Sequence, residues 1–469
     1  MKSTSLLGST LQLTAVSLLS QLLYFLYQVA LSRMVGTEVL GLIHMVMPVY
    51  YTFLSFLTSG FALAVCKLSS EYQSKNNHQA LGQVVSHTTQ LFSCGFLLFG
   101  LLLLLGYRVF AEQYFQQAPP LLFLLAVPML LFFTAQEIFN KHYFYGTNSV
   151  HIPAVIQITE QLIRMAAVLL LLLIFPQTSP LDAVLLILLG MLVSEIYSSL
   201  HLTYLRKQQP VTLPFPLSAG QNTGHMNRNI LRIALPVSLT TFFCQSISTL
   251  NAVIIPNLLV RSGLEQTAAL QRYGILFGMT LPLLMVPFSL INALSIVLLP
   301  YLSRCRVLQQ WKQILSTLRG SFLAILLFVA PATLGIAAFG TPLGLLCYGQ
   351  PEVGAYILPL AVGVILSAFE VVLETALNAY NRQTANACIT LFATLLQVYV
   401  TLAYTISLGL RAYVTGFVLA SVFGCLLRTL LLWRLLMNST VIAGRKATAS
   451  TLRTTPSTGS ETHTPLPPQ

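Results

Sequence analysis

Charge is what this sequence has least of. Only 8% of its residues are Asp, Glu, Lys or Arg, and the acids number 12 against 24 bases. A soluble domain carries about a quarter charged residues, so most of this chain is not built to face water. No polar stretch is long enough to form a globular domain of its own. The sequence also lacks a Gly-rich phosphate loop, an H-E-x-x-H metal motif and a nucleophile elbow. Its longest outer connections, 107–119 and 257–271, are too short to build an acid-bearing active site. Catalysis is therefore not expected, and neither is a metal, an organic cofactor or an ATP site. Cysteines are sparse and scattered: Cys66, Cys94, Cys244, Cys305, Cys347, Cys388 and Cys425. None forms a C-x-x-C pair and most lie in apolar runs, which makes them packing residues rather than disulfide or metal ligands.

What is present is apolar. Hydrophobic residues make up 55% of the chain and its mean hydropathy is +0.77. Such a composition needs a bilayer as solvent, and runs of about twenty apolar residues mark the crossings. Twelve are expected, near 6–32, 40–66, 84–106, 120–140, 152–175, 181–204, 229–256, 272–302, 315–339, 354–379, 387–408 and 412–437. The first is too long for the core of a cleaved leader and reads as a retained helix.

The net charge of +12 does not point to nucleic acid, because Lys and Arg stand singly or in pairs between the apolar runs. They follow the positive-inside rule instead. With the N-terminus inside, the inner connections hold Lys67, Lys75, Lys141, Arg206, Lys207, Arg228, Arg304, Arg306, Lys312 and Arg382. The outer ones hold only Arg33, Arg108, Arg261, Arg272 and Arg411. Both termini are thus expected in the cytoplasm.

The longest internal polar stretch, 206–228, divides the spans six and six. The expected organisation is a six-helix lobe over 1–206, a cytoplasmic linker over 207–228, a second six-helix lobe over 229–437 and a disordered tail over 438–469, Thr-, Ser- and Pro-rich at its end. Weak echoes relate the halves in order. Val16-Ser17-Leu18 returns as Val237-Ser238-Leu239, and Pro48 with Leu68-Ser69 returns as Pro282 with Leu302-Ser303. Glu137, Tyr143 and Thr147 return as Glu374, Tyr380 and Thr384. Both halves start inside, so the repeats are parallel. Such halves enclose a central site and rock about it.

Ionisable groups inside a span cost kilocalories unless they face protein or water. The fifth span carries Glu160 and Arg164, four residues apart and so on one face. Arg164 is a candidate cation for an anionic substrate; the competing reading is a structural Glu160–Arg164 pair. Glu137, Glu195, Glu370 and Glu374 are candidates for a coupling proton or cation, or for structural hydrogen bonds. Arg428 in the last span reads as a snorkelling cation. In the first span Gln12, Gln21 and Gln28, with Ser17 and Ser20, form a polar stripe that lines a cavity or glues helices. The substrate cavity is expected to hold Gln21, Gln28 and Arg164, with Arg33 and Arg272 at its outer mouth.

Several segments resemble a known family. These are Ser32-Arg33-Met34-Val35-Gly36-Thr37-Glu38-Val39-Leu40-Gly41-Leu42, then Met47-Pro48-Val49-Tyr50, and Thr58-Ser59-Gly60 through Lys67-Leu68-Ser69-Ser70-Glu71. Glu160-Gln161-x-x-Arg164, Tyr273-Gly274-x-x-x-Gly278-Met279 and Leu299-Pro300-x-Leu302-Ser303 complete the set. Together they resemble the stage V sporulation protein B family of the multidrug/oligosaccharidyl-lipid/polysaccharide (MOP) exporter superfamily. The resemblance implies an all-α integral membrane protein with two pseudo-symmetric six-helix lobes, a MATE-like layout. It also implies a flippase for a lipid-linked glycan of the undecaprenyl-pyrophosphate type in a bacterial cytoplasmic membrane, serving spore cortex or envelope synthesis. Gln21, Tyr27-Gln28 and Pro282 stand where the lipid II flippase branch carries arginines, and that branch adds two further helices. A cation-coupled MATE-type drug exporter and a non-transporting scaffold of a cell-wall or spore assembly complex are the other readings open to the sequence.

Overall fold

The computed structural model describes residues 6–75, 77–114, 121–147, 149–176, 179–208 and 223–453, all of it helical or connecting. The elements are α1 (Leu6–Ser74), α2 (His78–Tyr114), α3 (Leu121–Gly146), α4 (His151–Ile174), α5 (Pro180–Gln208), α6 (Thr223–Arg261) and α7 (Gln266–Gly274). They are followed by α8 (Leu281–Val307), α9 (Trp311–Ala324), α10 (Ala330–Ala338), α11 (Gly340–Tyr348), α12 (Gly354–Ala379), α13 (Gln383–Leu408) and α14 (Arg411–Arg453). Among the described residues nine helical stretches are long and apolar enough to cross a membrane, and the chain is a multi-pass membrane protein. Most of the linker expected over 207–228 and the end of the tail, 454–469, lie outside the described residues. Helix α14 continues to Arg453, past the expected last span. No proline interrupts 438–453, and a backbone without one has no barrier to continuing a helix already begun.

Helix α1 is two arms rather than one rod. At Gly36 the backbone turns to φ 76°, a conformation that glycine adopts without a Cβ clash, and the arms before and after it run as separate helices. The second arm carries Pro48, which cannot donate to the His44 carbonyl four residues back. The freed carbonyl is met from across the molecule by the Tyr273 hydroxyl, at 3.4 Å. Prolines leave a second mark. The π-helical turns Ile275–Thr280 and Ile325–Val329 each run up to a helix whose second residue is proline, Pro282 and Pro331. A wide turn absorbs the missing donor without ending the helix.

Helices α1, α3, α4 and α5 pack on one another, as do α12, α13 and α14, with α8 against α12, while α1 also packs along α6, α7 and α8. The apolar core follows this pattern unevenly. Near Gly36 it is one continuous cluster, drawing on Tyr27–Leu54 of α1, Leu181–Leu192 of α5, Ala252–Leu284 and Tyr348–Val364. At the other end it is two separate clusters. One is built on Leu57–Phe92, Ala135–Phe144 and the start of α6, the other on Ile291–Val329, Ala368–Tyr380 and Leu432. The core is therefore continuous across the halves near Gly36 and divided at the other end, where α6 still packs on α1, a Cβ on Gly60 falling 2.0 Å from the Ala234 carbonyl oxygen.

At the joined end backbone also meets backbone. A Cβ on Gly41 would lie 2.2 Å from the Leu270 carbonyl oxygen, and one on Gly274 would lie 2.1 Å from that of Thr37. Only glycine fits at either position, as in close helix crossings generally. Thr52 and Thr249 continue the contact between α1 and α6, their hydroxyls 2.6 Å apart.

Candidate functional site

Five charged side chains cluster on three helices of the first half. Glu137 and Lys141 stand one turn apart on α3, Glu160 and Arg164 one turn apart on α4, and Glu195 projects from α5. Lys141 pairs with Glu137 and, at 3.2 Å, with Glu160. Arg164 pairs with Glu160, with Glu195 at 2.7 Å, and with the Ser194 hydroxyl at 3.2 Å. Glu160 thus holds both cations. The three carboxylates offer oxygens that all lie within 4.8 Å of one another, and Lys141 and Arg164 occupy the cation positions among them. Glu195 Oε2 is buried and has no hydrogen-bond partner among the described residues. Ion pairs taken out of water are held only by near-complete satisfaction of their charges.

Both cations keep 18% of their side-chain surface accessible, against 8% or less for the three acids. The carboxylates are the buried layer and the cations the reachable one. Tyr24 and Tyr27 of the first arm of α1 and Tyr50 and Tyr51 of the second interact electrostatically with Arg164.

The expected cavity residues separate into different roles. Gln21 lines an open cleft of about 420 Å³ between the first arm of α1 and helices α8 and α10. Its other walls are nearly all apolar, including Leu18, Leu22, Pro287, Leu290 and Ile336. Gln28 is buried, its amide donating to the Tyr24 hydroxyl at 2.9 Å. Arg164 is in the acidic cluster, so the structural pair and the candidate cation are the same residue. Arg33 reaches across the molecule to the end of α11, its Nε donating to the Cys347 carbonyl at 2.7 Å and an Nη to that of Leu346. The last carbonyls of a helix have no intrahelical donor and sit at its negative pole, which suits a guanidinium. Arg272 is exposed on α7.

Of the candidate coupling acids, Glu137 and Glu195 belong to the cluster, whereas Glu370 and Glu374 stand on α12. Glu370 accepts from Arg428 at 2.5 Å, and Arg428 also donates to Asn386 at 2.8 Å and Thr390 at 2.7 Å. Arg428 is only 3% exposed, so it does not snorkel: three oxygen acceptors on α12 and α13 hold it inside. The echoed tyrosines both carry an arginine, with the Arg206 guanidinium 6.0 Å from the Tyr143 ring and that of Arg306 5.6 Å from Tyr380. Sequence reasoning missed Lys141, which it set in a loop, and the tyrosines. The four-residue spacing from Glu137 to Lys141 was the available signal, because α3 runs on to Gly146.

The structure is a multi-pass helical bundle with buried ion pairs and an open apolar cleft. The structural comparison agrees on the fold. A multidrug resistance MATE family transporter of the MOP superfamily, solved in an inward-facing conformation, superposes with a TM-score of 0.69 at 16% identity, over 88% of this chain and 95% of that one. Among curated proteins, stage V sporulation protein B of Bacillus subtilis (strain 168) is 25% identical over 437 residues, 92% of this chain and 83% of its own length. The lipid II flippase MurJ of the same organism is 23% identical over 401 residues, 79% of this chain and 72% of its own. The class is that of flippases of lipid-linked precursors. Within it, the chain belongs to the polysaccharide biosynthesis protein family, whose model matches residues 6–306, and the lipid II flippase MurJ model matches residues 221–458.

Proposed function

We propose that this protein flips a lipid-linked glycan, carried on an undecaprenyl-pyrophosphate type anchor, across a bacterial cytoplasmic membrane by alternating access. The observation that carries the reading is the pairing of reachable cations, Arg164 and Lys141, with an apolar cleft at Gln21. A pyrophosphate head needs cations and donors, because an unpaired polar group in hydrocarbon costs several kilocalories. A polyprenyl tail needs only an apolar gap leading to the bilayer. The two features answer the two ends of one amphipathic molecule. A scaffold needs no cleft.

In this reading α1 supplies two crossings, one on each side of Gly36. Helix α7 with α8, and α9 with α10, supply one each. Six crossings fall on either side of the 207–228 linker, making two parallel lobes with both termini cytoplasmic. The joined core is then the outer end and the parted core the cytoplasmic one, so the head enters from inside. The chain carries no ATP motif, so an ion gradient, the membrane potential or consumption of the cargo drives the step. An outward-moving anion gains about 2.3 kcal/mol per charge per 100 mV from an inside-negative potential. No catalytic step is part of the cycle, and envelope or spore-cortex assembly would use the product.

Proteoliposomes loaded with a defined undecaprenyl-pyrophosphate-linked disaccharide test this directly. The wild-type protein is expected to move it between leaflets, and Arg164→Gln to slow that movement at least about tenfold, the loss of one charge-assisted contact. Normal transport by Arg164→Gln would make the residue structural and move the phosphate site elsewhere.

A further inference from the structure

Helix α6 opens the second half of the chain, yet its first turns lie in the core of the first half. Met226 and Ile230 belong to the apolar cluster built on α1, α2 and α3, with Ile233 packed against it. No described residue of α6 belongs to the second half's own cluster. Contacts with the first half then recur along α6. His87 Nδ1 on α2 lies 3.0 Å from Asn227 Oδ1. A Cβ on Gly60 would fall 2.0 Å from the Ala234 carbonyl oxygen, and the Gly60 N–H donates to the Ser238 hydroxyl at 3.2 Å. The Phe56 and Phe242 rings meet with centroids 5.1 Å apart. The Thr249 hydroxyl donates to the Pro48 carbonyl at 2.9 Å and lies 2.6 Å from that of Thr52. From Asn227 to Thr249 is about 33 Å of helix, roughly the thickness of a bilayer's hydrocarbon core.

The rest of the boundary between the halves is different. Helices α3, α4 and α5 make no comparable contact with the second half. The first arm of α1 faces α8 and α10 across the cleft at Gln21. The contacts of α1 with α7 and α11, at Gly41 and Arg33, lie within about two turns of the Gly36 break, at the end of the arms. Parting α1 from α6 would break the Pro48–Thr249 and Gly60–Ser238 hydrogen bonds inside the membrane, where no water takes the partner's place.

We infer that α6 travels with the first half: its contact with the second arm of α1 stays closed through the transport cycle, and the moving bodies are α1–α6 and α7–α14. This deepens, and rests on, the alternating-access reading. The sequence repeats and the mechanical units are then offset by one helix. The contacts that change are those of α1 with α7, α8 and α11, and that of α6 with α13.

Two bridges test this in proteoliposomes, with undecaprenyl pyrophosphate bearing a disaccharide as cargo. On a cysteine-free background, Thr52→Cys/Thr249→Cys is oxidised to a disulfide, and transport is expected to stay within about twofold of the reduced protein. A larger loss overturns the inference. Arg33→Cys/Leu346→Cys, joined by a bismaleimide across the joined end, is expected to lose transport at least about tenfold relative to the unbridged variant. Should that bridge leave transport intact, the joined end need not open, and the alternating-access reading falls together with the inference. A block by both bridges keeps that reading and overturns the inference alone. Should Thr52→Cys/Thr249→Cys fail to insert, Phe56→Cys/Phe242→Cys is read the same way. Should the protein flip no cargo, labelling decides instead. With Gly274→Leu present, an impermeant thiol reagent is expected to modify Thr37→Cys at rates within about twofold of each other whether the disulfide is formed or reduced. A slower rate with the disulfide formed overturns the inference.

Discussion

At the scale of single residues, the acidic cluster makes an ordering that can be measured. Glu160 holds Lys141 and Arg164 together, whereas Glu195 spends only one oxygen, on Arg164, and leaves the other without a partner. Breaking a buried pair by removing one member costs about 3–5 kcal/mol. Glu160→Gln is expected to fall in that range and Glu195→Gln to cost less, because Glu160 holds two cations and Glu195 one. Thermal unfolding in detergent decides this; equal losses would mean that the second cation contact adds nothing. Arg428→Ala strands Glu370 and is expected to lower stability by about 3–5 kcal/mol, with Glu370→Gln in the same chain recovering part of it. Here the sequence was legible in part. Glu160, Arg164, Glu137 and Glu195 stood out as costly charges, but what they touch depends on α3, α4 and α5 meeting, and no spacing within one helix tells that. Arg428 was misread because its partners lie 38 to 58 residues away.

At the scale of elements, apolar runs predicted the helices closely, since a crossing is written in local composition. The break in α1 was visible as a glycine between two runs, and its geometry follows from φ at Gly36. The π turns were not visible, because a proline in a membrane span is as compatible with a kink as with a widened turn. Nor was the role of Arg33, whose acceptors belong to a nine-residue helix, α11, that no span-length window detects. The contact of α1 with α7 makes a prediction at this scale. Gly274→Leu places a side chain where a backbone oxygen now sits. Overpacking of this kind costs about 1–3 kcal/mol, and here it falls on the joined end alone. The variant is expected to insert normally yet favour a conformation open at that end. An impermeant thiol reagent applied to a cysteine-free background carrying Thr37→Cys is expected to react faster when Gly274→Leu is present. An unchanged rate would mean that the contact yields without opening.

At the scale of the whole molecule, the orientation is the first thing to establish. In intact cells, Ser262→Cys on the same background is expected to label from outside and Gln309→Cys only after permeabilisation; the reverse pattern would invert the proposed direction of entry. The joined end then has a consequence for energetics. Inside a bilayer, helices gain little from hiding apolar surface, because lipid is as apolar as the neighbour it replaces. A seam of apolar side chains and glycine–carbonyl contacts, with one guanidinium across it, gives up mostly dispersion contacts when it parts. Closed and open conformers are therefore expected to lie close in free energy. A ligand that prefers one by even a few kilocalories redistributes the population between them. A cargo head bridging the two halves needs no more leverage than that.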